Sequence, residues 1–338
     1  MPHLTMFLKA GPGAALILLF ALLGPAAHAG DLDAATRSDA VTSLAEAMTN
    51  RYVFEDLGAQ CGERLLADLE GGAFDDCDDR ASLAQRLTDD LQEQTHDLHL
   101  RVRPAAPQPA QPTPEEKTRI ERSQVEQMRA GNFGFEQVLR LPGNVGLVDL
   151  RAFSSADAGH DAAVGAMNFL GSSDALIFDL RQNGGGDPEM VQLISSWLFD
   201  EPTHLNSLWW RASEETVEFW THDVPGKSLG DVPVFVLTSA STFSAAEEFT
   251  YNLKCLERAT IVGETTGGGA HPGGGVDLPG SLSVFIPTGR AINPTTGTNW
   301  EGSGVAPDVE CPADQALDRA LELATRAASE RRDERDGS

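Results

Sequence analysis

The amino-acid sequence predicts an α/β protein, in which a small helical bundle leads into a core built on a mostly parallel sheet. Two observations carry this. Residues 38–91 contain three segments whose apolar side chains recur every three or four positions, the spacing of one helical face. From residue 145 to 262, short runs rich in Val, Ile and Leu alternate with helical patterns, the order that builds a parallel sheet with crossover helices.

Residues 1–29 stand apart from this fold. His3 and Lys9 precede an apolar run over 14–23, and Ala27-His28-Ala29 gives an A-x-A cleavage signature. The segment reads as a secretory signal peptide, which implies export to a periplasm or to the outside. No later segment is long and apolar enough to span a bilayer.

Val41, Leu44 and Met48 define the first helix, over 38–50. Leu57, Cys61, Leu65 and Leu69 define the second, and Leu83, Leu87 and Leu91 the third, with Asp78 or Asp79 as its cap. Residues 95–102 alternate like a strand after a turn and complete an N-terminal helical domain over 30–103. A proline-rich linker fills 104–114. Thr113-Pro114-Glu115-Glu116 then starts a helix with a cap, a proline at the first position and a glutamate at the third, and Gly131 ends it.

The larger domain, over 115–328, continues with strands at 138–141 and 145–150 around Pro142-Gly143-Asn144. A helix over 161–170, a buried strand over 175–180 and a helix opened by Asp187-Pro188 follow. Aromatic and charged residues over 208–219 suggest a hairpin. A strand over 232–237, a helix over 244–256 and strands over 260–262, 282–286 and near Ala291 come next. A helix over 313–328 closes the domain, and residues 329–338 read as a solvated charged tail.

Composition narrows the function. The 338 residues carry 25 Lys+Arg against 51 Asp+Glu, a net charge of −26. Such a chain is a poor partner for nucleic acid or an anionic membrane. In an exported chain the four cysteines suggest disulfides, with Cys61–Cys77 as the expected pair and Cys255–Cys311 as the second. Their spacing fits no zinc site, and the sequence calls for no cofactor.

Three stretches could carry chemistry. In the first, Thr238-Ser239-Ala240-Ser241-Thr242-Phe243-Ser244 is a small-residue turn between a strand and a helix. Ser244 there sits among unpaired N–H groups at the positive end of the helix dipole, a place to hold a nucleophile and its oxyanion. Ser244-Ala245-Ala246-Glu247 is also a capping box, so the serine has an ordinary structural use. In the second, Asp179-Leu180-Arg181-Gln182-Asn183-Gly184-Gly185-Gly186 ends a strand in a glycine turn that can bring backbone N–H groups close to an anion. It lacks the spacing and the lysine of a phosphate loop. In the third, Glu301 follows Trp300 in a loop of small residues, where a carboxylate could orient a histidine or lie exposed. Candidate bases are His99, beside His96, and His271, in the glycine-rich stretch 267–275. His160 and His222 lie in polar company without a motif.

Taken in order, DLRQNGGG, TSASTFSAAEEF, VGETTGGGAHP and NWEGSGVAPDV resemble the tail-specific (C-terminal-processing) serine peptidases, in particular the branch of tricorn core protease and the interphotoreceptor retinoid-binding proteins. The resemblance covers roughly residues 38–318. It implies a crotonase-like β/α superhelical core preceded by a helical domain, with Ser244 as nucleophile and an oxyanion hole from the N–H of Ala245 and of Gly185 or Gly186. It also implies a peptide or protein substrate. Only the linker and one helix stand where relatives insert a PDZ domain, so none is expected.

One departure is informative. Tail-specific members pair their serine with the lysine of G-x-x-x-x-G-K-G, and Gly269 stands at that position here, after Gly268. Lys254 lies ten residues beyond Ser244, about 15 Å along a regular helix. The resemblance to the tricorn-like branch therefore implies a Ser–His–Glu site, with His99 of Asp97-Leu98-His99 as base, Glu301 as helper and His271 as the rival. Two other classes remain: a non-catalytic retinoid- or lipid-binding protein, with Trp209, Trp210, Trp220 and Trp300 around a pocket, and an acyl-CoA enzyme, which suits an exported chain poorly.

Overall fold

A computed structural model describes residues 32–106 and 113–337. The signal-peptide reading, and the middle of the linker, lie outside the described residues. α1 (Ala34–Arg51) starts at Asp33, whose carboxylate accepts the Thr36 N–H at 2.7 Å. α2 (Glu55–Glu70) follows, and α3 (Arg80–Thr95) starts from a capping box between Asp79 and Ser82. α3 ends at His96, whose left-handed φ of 57° reverses the chain. The turn at 97–100 leads into β1 (Arg101–Pro104). α4 (Pro114–Ala130) carries the expected Thr113–Glu116 capping box and buries no residue.

The core then runs β2 (Phe135–Leu141), β3 (Val145–Leu150), α5 (Ala156–Leu170), β4 (Ala175–Asp179), α6 (Pro188–Ser195), β5 (His204–Trp210) and β6 (Glu215–Trp220). It continues with β7 (Val234–Thr238), α7 (Ala245–Cys255), β8 (Ala259–Gly263), β9 (Gly273–Leu278), β10 (Leu282–Pro287), β11 (Gly289–Ile292), β12 (Val309–Glu310) and α8 (Ala316–Gly337).

The central sheet has the order β12-β8-β7-β4-β3-β2 and is parallel except for the β2–β3 hairpin. Every residue of β4 and β7 is buried, as a strand covered on both faces requires. Alternation divides their side chains. Leu176 and Phe178 join α5, α6 and α7 on one face. Ala175 and Ile177 meet Ala316, Ala320, Ala324 and Ala328 of α8 on the other. The sheet thus presents the C-terminal ends of β3, β4 and β7 together, the usual position for a site in a parallel sheet.

Two small antiparallel sheets flank it, β1-β10-β9 and β11-β5-β6. The pairing of Arg101 with Phe285 joins residues far apart in sequence. It gives α1, α2 and α3 a shared apolar cluster with Leu278, Leu282, Val284 and Ile286. The turn at 97–100 is thereby fixed against the later half of the chain.

Three expectations change. The glycine-rich stretch includes β9, which has little apolar alternation of its own and forms because β10 supplies its partner. Residues 329–337 of the expected charged tail continue the helix α8. Arg331, Arg332 and Arg335 all donate to the buried carboxylate of Asp174, at 3.3, 2.9 and 2.8 Å. The four cysteines are free thiols, against the expected disulfides. Cys255 ends α7 on one face of the sheet, whereas Cys311 packs with α8 on the other. Cys61 is buried within α2, while the Cys77 thiol turns toward Asp76 at 3.9 Å.

Candidate active site

Three chain segments converge on Ser244. After β7, the turn is bound down onto the turn after β4. Ser239 Oγ donates to the Arg181 carbonyl at 2.6 Å, Thr242 Oγ1 to that of Leu180 at 2.8 Å, and the Phe243 N–H to that of Asn183 at 3.1 Å. Asn183 is fully buried. Its Nδ2 donates to the Leu150 carbonyl at 2.9 Å, and its Oδ1 accepts the Gly185 N–H at 2.8 Å. Asn183, through its side-chain amide and its carbonyl, therefore links the ends of β3, β4 and β7.

Ser244 is the N-cap of α7, with φ 56° and ψ −122°. A non-glycine residue in that region stores roughly 1–3 kcal/mol of strain and persists only where its surroundings impose it. Gly185, at φ 104°, explains part of this: a methyl group there would lie 2.7 Å from Ser244 Cβ and 2.9 Å from the Ala245 nitrogen. The Ala245 N–H has no partner among the described residues. The Gly185 N–H is committed to Asn183. Gly186 is bridged to Phe153 in parallel fashion through its neighbours, so its own N–H faces away from Phe153 and is unpaired among the described residues.

Glu247 holds this turn to the glycine-rich loop. Its Oε2 accepts the N–H of Ser244 and of Gly269, both at 2.8 Å. Its Oε1 accepts the Thr266 hydroxyl at 2.5 Å and the Gly268 N–H at 2.6 Å. Burial pushes this carboxyl up, and the four donors pull it back. Thr266 and the backbone of Gly268 and Gly269 are in this way tied to Ser244.

The candidate acid–base groups lie beyond the loop. The ring of His99 packs at 4.6 Å from that of Phe243 and stacks on Phe285. Its Nδ1 is 3.5 Å from Asp97 Oδ1, which also accepts the His99 N–H at 3.0 Å. Asp97 Oδ2 accepts from His271 Nδ1 at 2.9 Å and from the Tyr52 hydroxyl at 3.2 Å. Burial pushes Asp97 up, but the hydrogen bond from His271 and the close approach of His99 outweigh it and hold the carboxyl well below the usual carboxylate range. Glu301 Oε2 accepts the Ala270 N–H at 2.5 Å and lies 3.4 Å from His271 Nδ1. Burial, and the charge of Asp97, push Glu301 up to about 7.

Ser244, Ala245, Gly185, Gly268 and Gly269 are thus contiguous, as are His99, His271 and Glu301, and the two groups meet at Phe243 and Gly269. His96 is a helix cap outside the cluster. His160 and His222 line a separate cavity of about 660 Å³ whose wall includes Asp157, Asp161, Glu189 and Glu218. Lys254 donates to the Ala306 carbonyl at 2.9 Å and also pairs with Asp308. Sequence reasoning missed Asn183 and Asp97 as organising groups, and took Glu247 for a cap alone. Each lies inside one of the motifs that carry the candidate chemistry, and motif membership is the signal that could have found it.

Comparison with known proteins places this geometry. The model of peptidase family S41 matches residues 144–311, and that of the N-terminal domain of peptidase S41 in eukaryotic IRBP matches residues 33–132. The chain belongs to peptidase family S41. Members of this family are serine-type hydrolases. Solved structures with the same fold include a peptidase-type protein of Parabacteroides merdae, 19% identical with a TM-score of 0.60, over 85% of this chain and 96% of that one. The tricorn protease aligns at 14% identity and a TM-score of 0.58, over 88% of this chain and 37% of its own. The photosystem II D1 C-terminal processing protease aligns at 18% identity and a TM-score of 0.50, over 86% and 96%. At these identities the likeness establishes the S41 fold.

Two adjacent glutamates of this S41 chain give contrasting tests. Glu247→Gln replaces an acceptor by an amide donor facing N–H groups, and each buried donor left unpaired costs about 1–3 kcal/mol. The variant should show a lowered Tm and slower hydrolysis. Retention of both would contradict the anchoring role. Glu248 is buried with Asp187 nearby, and burial pushes its carboxyl up to about 8. Its folded pKa thus exceeds the unfolded value of about 4.3. The folded state keeps a proton that the unfolded state releases, so stability falls as pH rises from about 4.3 to about 8. Glu248→Gln should raise Tm, with a gap that widens across that window, corresponds to a few kcal/mol, and is constant above it. A gap independent of pH in thermal melts would contradict the burial argument.

Proposed function

We propose that this chain is an exported serine endopeptidase that cleaves peptides or unfolded protein tails through an acyl-enzyme, with a Ser–His–Glu site. The observation that carries the reading is the packing at Gly269. A Cβ there would lie 2.3 Å from Phe243 Cζ and 2.6 Å from His99 Cε1. The imidazole of His99 fills the space into which a lysine at this position would project, and Lys254 is engaged elsewhere. A histidine supplied by the N-terminal helical unit thus stands in for a lysine.

In this mechanism the His99 imidazole, its Nδ1 facing Asp97, takes the Ser244 proton on Nε2 as Oγ attacks the peptide carbonyl. Asp97 fixes the ring orientation, and one donor atom each from Asp97, His99 and Glu301 lie within 4.8 Å of one another. The Ala245 and Gly186 N–H groups receive the oxyanion at the positive end of α7. His99 returns the proton to the leaving amine, and water then hydrolyses the ester by the same steps in reverse. The strained backbone of Ser244 presents the hydroxyl to substrate. The signal-like segment at 1–29 supports export, and among the described residues no helix is long and apolar enough to cross a membrane.

Three of the four tryptophans named for a lipid pocket have packing partners instead. Trp300 is buried and donates to the Gly269 carbonyl at 2.7 Å. Trp209 lies under Arg290, and Trp220 stacks on His204. The wall of the 660 Å³ cavity, rich in carboxylates, does not suit an apolar ligand.

Hydrolysis of a fluorescently labelled unfolded protein tests the assignment. Ser244→Ala and His99→Gln should each lower kcat by about 10⁴-fold or more with the fold retained. Lys254→Met should stay within a few-fold of the native rate. Undiminished hydrolysis by Ser244→Ala, or a Lys254→Met loss as large as that of His99→Gln, would overturn it.

A further inference from the structure

We propose that Asp97, His99 and Glu301 form a binding site for one divalent transition-metal ion of the zinc class, and that the ion switches hydrolysis off by occupying the base. The inhibition rests on the proposed peptidase reading, whereas the binding does not. One donor atom from each residue lies within 4.8 Å of the others. His99 Nδ1 and Asp97 Oδ1 are 3.5 Å apart. Metal–ligand bonds of about 2.0–2.1 Å in a tetrahedral site give a ligand–ligand edge of about 3.3 Å. Small side-chain shifts therefore bring three ligands onto one ion.

The donors are buried and unsatisfied. His99 is 9% exposed, and neither of its ring nitrogens has a hydrogen-bond partner. Glu301 Oε1 is likewise buried without a partner. Among the described residues, the ion pairs of Asp97 and Glu301 run only to His99 and His271. Neither carboxylate has a Lys or Arg partner among the described residues, which leaves room for a divalent ion between them.

Outer groups already orient the set as metal ligands are oriented. His271 and Tyr52 hold Asp97 Oδ2, at 2.9 and 3.2 Å, and the Ala270 N–H holds Glu301 Oε2 at 2.5 Å. Asp97 Oδ1, 3.5 Å from His99 Nδ1, and the unpartnered Glu301 Oε1 remain to meet an ion. One imidazole and two carboxylates suit zinc, whereas calcium and magnesium require about six or more oxygen ligands. A neutral imidazole has one nitrogen lone pair. Once the ion holds it, the other nitrogen keeps its proton, and His99 cannot accept the proton of Ser244.

Zinc titration into chelator-treated Ser244→Ala protein, followed by calorimetry, tests the site independently of activity. One equivalent should bind. Glu301→Gln and His99→Gln, each added to Ser244→Ala and checked for fold by circular dichroism, should weaken binding tenfold or more. Magnesium should not compete. Zinc should also suppress hydrolysis by the native chain, with recovery on adding EDTA. Absence of saturable zinc binding, binding unaffected by both substitutions, or equal competition by magnesium would overturn the proposal. If the binding pattern holds while the native chain hydrolyses nothing, the metal site stands and the peptidase reading fails. If the native chain hydrolyses the substrate but binds no zinc, the peptidase reading stands and the metal site fails.

Discussion

The buried carboxylate of Glu247 is the constraint on which the rest of the site depends. It gathers the N–H groups of Ser244, Gly268 and Gly269 and the Thr266 hydroxyl on two oxygens. Hydrogen bonds to a charged group contribute about 1.5–3 kcal/mol each. Four of them offset part of the several kcal/mol that burying a carboxylate costs, and burial still leaves the carboxyl raised. The bond from the Ser244 N–H helps hold Ser244 in a backbone conformation that a non-glycine residue otherwise avoids. Gly269 is the hinge of the arrangement, because its N–H rests on Glu247 while its Cα lies against His99. Ser244 and His99, the proposed nucleophile and base, are thereby registered to each other through one residue that has no side chain.

That registration draws on the whole chain. Asp97 and His99 come from the exit of a helical unit, Asn183 and the glycine turn from the end of β4, Ser244 from the end of β7, and Glu301 from a loop near the C-terminus. The pairing of β1 with β10 carries the first of these to the others. The common cluster of α1, α2 and α3 with β9 and β10 makes the helical unit part of the site's support. Charge within the cluster is divided unequally. Asp97 is held ionised by two histidines, whereas Glu301, next to it, is pushed up to about 7.

Much of this is legible in the sequence because the signals are local. Alternating runs mark β3, β4, β7 and β8, and the Thr113-Pro114-Glu115-Glu116 start places α4 to the residue. Ser244, Ala245, the glycine turn, His99, His271 and Glu301 all stand in short motifs, and the structure brings them into one neighbourhood. What escapes depends on partners distant in sequence. β9 has no pattern until β10 pairs with it. The last turns of α8 look solvated because Asp174, the carboxylate that binds their arginines, lies some 160 residues earlier. An even cysteine count suggests bridges, but the sheet separates Cys255 from Cys311. Glu247 fits a capping box, and its reach to the 266–269 loop is a tertiary fact. Asp97 reads as the first letter of a histidine motif, although it serves two histidines.

The central claim is that Ser244 is a nucleophile activated by His99. A fluorophosphonate probe, which modifies only an activated serine, followed by peptide mapping in a mass spectrometer, tests it most directly. The account predicts one adduct per chain, on Ser244, and its loss in His99→Gln protein that remains folded. An adduct on another residue, or labelling of Ser244 that persists undiminished without His99, would contradict it.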